Sequence, residues 1–135
     1  MLYKDFLHTI RECPFCKPDR RIVSKNDHAY LTYAIAPYHA YHMLVLPRRH
    51  VLSILDLTPD EWKDSLALIQ TGAKLLEHLG FHNYTALVRN GDASGRSIEH
   101  LHFHVVPAAR LGDMDRHQGV DLERAHLLVI ASLRP

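Results

Sequence analysis

Apolar and polar positions alternate most regularly over Glu99-His100-Leu101-His102-Phe103-His104-Val105-Val106-Pro107. A period of two predicts a strand with His100, His102 and His104 on one side and Leu101, Phe103 and Val105 in a core on the other. Upstream, Asn83-Tyr84-Thr85-Ala86-Leu87-Val88-Arg89 reads as a second strand, and the two are expected to pair antiparallel. Met43-Leu44-Val45-Leu46 is a short apolar run that ends at Pro47, as a buried strand does. Residues 21–36 alternate loosely and are rich in aromatic and β-branched types, so they predict one or two further strands. Pro37 interrupts any ladder in the connection that follows.

A different period appears after Leu57. Trp62, Leu66, Ile69, Ala73 and Leu76 follow helical spacing. Thr58 can cap, Pro59 suits the first helical position, and Glu61 completes a capping box. Gly80 is a plausible stop, so a helix is predicted over 59–78. Residues 1–12 read as a short helical or irregular lead-in, and Asp121 to Leu133 as a C-terminal helix. Several strands with one long central helix predict the α+β class.

Composition narrows the picture only a little. A length of 135 residues suits one domain, 1–135, and 47% hydrophobic with 23% charged residues is ordinary for a globular chain. A net charge of +1 gives no reason to expect nucleic acid or an anionic membrane as partner. No apolar run approaches the roughly 20 residues that span a bilayer. Met1-Leu2-Tyr3-Lys4-Asp5 lacks a signal peptide's apolar segment, so the cytoplasm is the expected location. Twelve histidines is the unusual count, because several fall in the patterned segments.

Alternate side chains on a strand stand about 6.5–7 Å apart, so three imidazoles form a row. Two neighbours could share a metal, while three reaching one ion would be awkward. A row of imidazoles suits phosphate chemistry, with one attacking nitrogen and neighbours that hold charge and hydrogen bonds. The polar loop Arg89-Asn90-Gly91-Asp92-Ala93-Ser94-Gly95-Arg96-Ser97 leads into it. Gly91 and Gly95 permit tight turns that expose backbone N–H groups to an anion. Cys13-Pro14-Phe15-Cys16 reads as half a zinc site or as a redox pair. Pro18 argues against the helix that a redox motif expects next. Zinc needs two more ligands, and histidine is the available type.

His100-Leu101-His102-Phe103-His104-Val105-Val106 resembles the motif of the histidine triad (HIT) family of nucleotide hydrolases and transferases, in which three histidines alternate with apolar residues. The loop before it and His42-Met43-Leu44-Val45-Leu46-Pro47-Arg48-Arg49-His50 extend the likeness over roughly residues 10–110. The resemblance implies an antiparallel five-stranded sheet and a homodimer. It makes His102 the nucleophile, oriented by the backbone carbonyl of His100. His104 and His42 would contact phosphate oxygens or balance charge. Ser97 would bond the scissile or leaving oxygen, and Asn90, Gly95 and Arg96 would lie along the substrate. In zinc-containing members, a histidine matching His50 joins the cysteines and the first triad histidine. The implied ligands are therefore Cys13, Cys16, His50 and His100, a closed structural site.

Two positions depart from the family pattern. Ala34 stands where many members carry an Asp or Asn that holds ribose hydroxyls, and Arg96 stands in place of a common Gln. Both bear on substrate identity, and Arg96 could add an anion contact. The expected activity is cleavage at the α-phosphate of a nucleotide conjugate through a nucleotidyl-histidine. Two other functions compete: a nucleotide- or partner-binding module with little turnover, and a zinc hydrolase whose triad holds a catalytic metal.

Overall fold

A computed structural model of the chain describes residues 1–16, 21–91 and 98–107. The expected C-terminal helix, and the loop positions Gly95, Arg96 and Ser97, lie outside the described residues. The chain opens with a short helix, α1 (Tyr3–Thr9). A hairpin of β1 (Ile22–Lys25) and β2 (Ala29–Tyr33) follows, then β3 (Met43–Pro47). After a single 3-10 turn at Ile54–Asp56 come α2 (Pro59–His78), β4 (Tyr84–Val88) and β5 (Phe103–Pro107). All neighbouring strands are antiparallel in the order β1-β2-β3-β5-β4. The strand β5 is thereby inserted between β3 and the edge strand β4. Among the described residues, no helix is long and apolar enough to cross a membrane.

The three inner strands are buried at every position. Their apolar side chains divide between two cores by alternation. Ala29, Leu31, Met43, Val45, Phe103 and Val105 pack with Leu68 and Leu76 of α2. Tyr30, Leu44 and Leu46 face the other way, onto Tyr3, Phe15, Ala34, Ile35 and Ile98. A helix covers one face and the N-terminal segment the other, which is why β3 reads as a continuous apolar run.

Helix α2 ends where its caps require. The Thr58 side chain accepts from the Glu61 N–H, and the Glu61 side chain accepts from the Thr58 N–H. At the far end Gly80 N–H donates to Glu77 O and Phe81 N–H to Leu76 O, with Gly80 at φ 91°. That pair of bonds is the left-handed stop glycine allows. Of the expected stripe, Leu76 is buried and Trp62 and Ile69 pack against the core, while Leu66 is 52% exposed; Glu61, Ser65, Leu68 and Gly72 are the other buried positions of the helix. Gly72 sets the close approach, since a Cβ there would touch Leu31, Met43 and Val105 at 3.6–3.8 Å. Three strands therefore meet the helix at one residue without a side chain, and Leu66 is left outside.

The buried carboxylate of Glu61 takes two bonds from Arg49, Nε to Oε2 at 3.1 Å and Nη2 to Oε1 at 2.8 Å. Those contacts pull its pKa down to about 2, with the Arg49 bonds as the main cause. Arg49 also donates to Asp56 O at 2.8 Å. The start of α2 is thus tied to the segment just after β3, next to His50.

Candidate functional site

Four histidines collect on the N-terminal side of the sheet, brought there by β3 and β5. Leu44 pairs with His104 in the β3–β5 ladder, and His42 immediately precedes β3. The ladder of β5 begins only at Phe103, because the chain bends at residues 98–100. Leu101 N–H is instead held by Val51 O at 2.7 Å. This bend breaks the expected row of three. His102 and His104 remain neighbours, with ring centroids 4.9 Å apart. His100 turns its ring to Phe15 and His50. The triad histidines are not a solvated face, since His100, His102 and His104 are 0%, 6% and 3% exposed.

Their proton positions follow from partners that can only donate or only accept. His102 Nδ1 lies 2.7 Å from His100 O. A carbonyl only accepts, so Nδ1 carries the proton and Nε2 carries the lone pair. The Tyr38 N–H donates to His42 Nδ1 at 3.1 Å. His42 Nε2 is then the protonated nitrogen, and it donates to His104 Nδ1 at 3.0 Å. His104 Nε2 must in turn carry a proton. Buried, that N–H has no hydrogen-bond partner among the described residues. A buried donor without a partner costs about 1–3 kcal/mol, so it is primed for an oxygen atom brought by a ligand.

Burial keeps this relay neutral. It pushes the pKa of His42 down to about 3, helped by the neighbouring His102 and His39. His104 falls to about 2 for the same first reason, with His102, His42 and Arg89 adding to it. The pocket at these rings has walls of Tyr3, Phe15, Ala34, Ile35, Ala36, Leu44 and Ile98. The room left inside is about 20 Å³, the space of one water or one phosphate oxygen. Ala34 lies in that wall, and its N–H is spent on His42 O at 2.9 Å.

A second cluster stands on the other side of His100. The ligand atoms of Cys13, Cys16, His50 and His100 all lie within 4.8 Å of one another. His100 Nδ1 is 3.3 Å from Cys13 Sγ and 3.5 Å from Cys16 Sγ, and His50 Nδ1 is 3.0 Å from Cys16 Sγ. His100 Nε2–H donates to Pro47 O at 2.8 Å, which leaves Nδ1 as the coordinating nitrogen. Two sulfurs and two imidazole nitrogens are a tetrahedral donor set of the zinc type. Metal-free, the Cys16 thiol is pushed up to about 11, mainly by burial and then by Cys13.

Asn90 is tied to the segment before α2, where its Oδ1 accepts the Ile54 N–H at 2.8 Å. His42 has both ring nitrogens engaged within the protein, so it faces His104 rather than an outside phosphate. Sequence reasoning passed over Tyr38, whose backbone fixes the relay, and Phe15, whose ring packs on His102 with centroids 5.5 Å apart. The aromatic residue inside the two-cysteine turn was a legible signal for Phe15. A backbone donor such as Tyr38 leaves none.

A five-stranded antiparallel sheet with one helix across it, and three alternating histidines that lead into β5, define an α+β protein of the histidine triad type. The HIT domain model matches residues 17–111, and the chain belongs to the HIT family. Over 73 residues it is 33% identical to an adenosine 5'-monophosphoramidase of Schizosaccharomyces pombe, covering 54% of this chain and 53% of that one. Over 110 residues it is 29% identical to a bifunctional bis(5'-adenosyl)-triphosphatase/adenylylsulfatase of Arabidopsis thaliana, covering 79% and 59%. The chain thus spans little more than half the length of either relative. A Zn-bound histidine triad family protein from Mycobacterium smegmatis has the same fold, with a TM-score of 0.71 at 22% identity over 90% of this chain and 93% of that one.

Proposed function

We propose that this chain is a nucleotide hydrolase or transferase that cleaves at the α-phosphate of a nucleotide conjugate. The observation that carries the reading is the pair of fixed tautomers: a lone pair on His102 Nε2 beside a partnerless N–H on His104 Nε2. In the first step His102 Nε2 forms a bond to the α-phosphorus and the bond to the leaving group breaks. The His104 N–H holds a non-bridging oxygen, where negative charge gathers. His42 acts through His104, fixing which nitrogen donates. The developing positive charge on His102 is offset by its Nδ1–H bond to His100 O. Water or another acceptor then displaces the nucleotidyl group from His102, so one difficult displacement becomes two easier ones. Ser97 is assigned the leaving oxygen by family pattern. The named relatives, one acting on a phosphoramidate and one on a dinucleoside triphosphate and an adenylylsulfate, support this class of donor.

Cys13, Cys16, His50 and His100 would hold a zinc ion, which when bound supplies cross-linking of the N-terminal turn to the sheet. Four protein ligands fill a tetrahedral sphere, which favours a structural over a catalytic metal. Thiolate ligands of this kind suit a reducing compartment such as the cytoplasm. Among the described residues β4 pairs on one side only and exposes Tyr84, which supports a homodimer.

One observation favours a second reading, a binding module with little turnover: His102 is nearly buried beside a cavity of only about 20 Å³. Mononucleotide release decides between them. The donors are adenosine and guanosine phosphoramidates, a dinucleoside polyphosphate, an aminoacyl adenylate and a nucleoside phosphosulfate, each run beside His102→Ala. Release that disappears in the variant is expected. Binding of mononucleotide with no turnover of any donor would establish the module instead.

A further inference from the structure

His100 belongs to both clusters at once. Its Nδ1 faces the two cysteine sulfurs, its Nε2–H is tied to Pro47 O, and its backbone carbonyl accepts the Nδ1–H of His102 at 2.7 Å. The residue has no solvent exposure. A second link runs through Phe15, which sits between Cys13 and Cys16. Its ring meets His100 edge-on with centroids 6.0 Å apart and tilts against His102 at 5.5 Å. Its carbonyl is held by the Tyr30 hydroxyl. The four-residue turn that would grip a metal therefore reaches the reacting imidazole by two routes, directly through the Phe15 ring and indirectly through His100, whose carbonyl accepts the His102 Nδ1–H.

We propose that metal occupancy at Cys13, Cys16, His50 and His100 holds His102 in its reactive tautomer and orientation, with His100 and Phe15 as positioning residues. This rests on reading His102 as the nucleophile. An imidazole can attack only through the nitrogen that lacks a proton, and the His100 carbonyl holds the His102 proton on Nδ1. That carbonyl sits on a residue whose ring is anchored at one end by Pro47 O and at the other by the cluster. With the metal in place the ring is fixed at both ends and the carbonyl with it. Without the metal, one end is held only by thiol–imidazole contacts of 3.3–3.5 Å, which are weak bonds. The carbonyl then drifts, and His102 populates the tautomer with its proton on Nε2, where the lone pair is needed. A metal serving stability alone would leave that balance untouched.

The test uses the full-length zinc-loaded chain with nitrogen-15-labelled histidines, before and after metal removal by a chelator. The loaded protein is expected to show His102 as a single Nδ1–H tautomer and the metal-free protein an average of the two. kcat should fall about tenfold to a hundredfold on metal loss with KM changed less than about threefold. Phe15→Leu keeps all four ligands and should lower kcat in the same way at full metal occupancy. An unchanged His102 spectrum and kcat in the folded, metal-free chain would overturn the proposal. Should metal removal unfold the chain, cadmium replaces zinc, because its longer bonds to sulfur shift His100 without emptying the site. Signals of His102 that move together with those of His100 support the coupling, and movement confined to His50 and His100 refutes it. The spectra need no substrate, so they succeed or fail independently of the His102→Ala result.

Discussion

Replacing His42 by leucine tests the relay at its middle member. His42 Nε2–H is the donor that fixes His104 Nδ1 as an acceptor, over 3.0 Å between rings 1% and 3% exposed. Leucine fills much of the volume but donates nothing. His104 then either leaves a buried acceptor unpaired, at about 1–3 kcal/mol, or moves its proton to Nδ1. The second course turns the Nε2 lone pair toward the substrate's oxygen, where a donor is required. Either way the Nε2–H form loses about 1–3 kcal/mol relative to its competitor, and each 1.4 kcal/mol is a factor of ten. A loss in kcat/KM of about 5- to 150-fold follows for mononucleotide release from an adenosine phosphoramidate. Thermal unfolding run alongside separates this effect from simple loss of fold. A folded His42→Leu protein within about twofold of the parent would refute the relay.

Three further expectations follow from the same geometry. Gly72→Ala should stabilise the chain by about 1 kcal/mol, because alanine favours a helix interior over glycine by that much and its methyl meets neighbours at an ordinary 3.6–3.8 Å; a lower melting temperature would mean the helix has no room there. His42 and His104 titrate far below the usual histidine value of 6.5, so the unfolded chain takes up protons first. Their contribution to stability is complete above pH 6.5 and is lost as pH falls toward 3, and Glu61, held near 2, adds further loss below its ordinary 4.5. Melting temperatures flat from neutral pH to pH 4 would contradict this. Ala34 offers a sugar no hydrogen bond from its side chain, so ribo and 2'-deoxyribo donors should differ by less than about threefold in kcat/KM, with Ala34→Asp restoring preference for ribose; a tenfold ribose preference in the parent would show an anchor elsewhere.

What the sequence disclosed follows from how local each signal is. Both ends of α2 were readable because Thr58, Glu61 and Gly80 cap through bonds spanning only a few residues. The strands β3 and β4 were readable from short apolar runs and β5 from its alternation, with prolines at the ends of β3 and β5. Helical spacing alone could not say which stripe meets the sheet, because Ser65 and Gly72 carry no hydrophobic signal yet are buried. Leu66 was misassigned for that reason. The bend at 98–100 was hidden by the alternation that runs from His100 to Val105, although it separates the duties of His100 from those of His102 and His104. The metal ligands lie 34 and 87 residues from their cysteine partners, a distance that spacing cannot bridge. Only the likeness of whole motifs brought Cys13, Cys16, His50 and His100 together. The proton positions were beyond the sequence, since they depend on two backbone groups, Tyr38 N–H and His100 O.

The central claim is that His102 becomes covalently nucleotidylated. Rapid alkaline quench of the enzyme with its best donor, followed by mass analysis of peptides, tests it most directly. The account predicts one nucleotidyl group on the peptide carrying Leu101-His102-Phe103, absent in His102→Ala. Turnover with the label on any other residue, or undiminished turnover in His102→Ala, would contradict it.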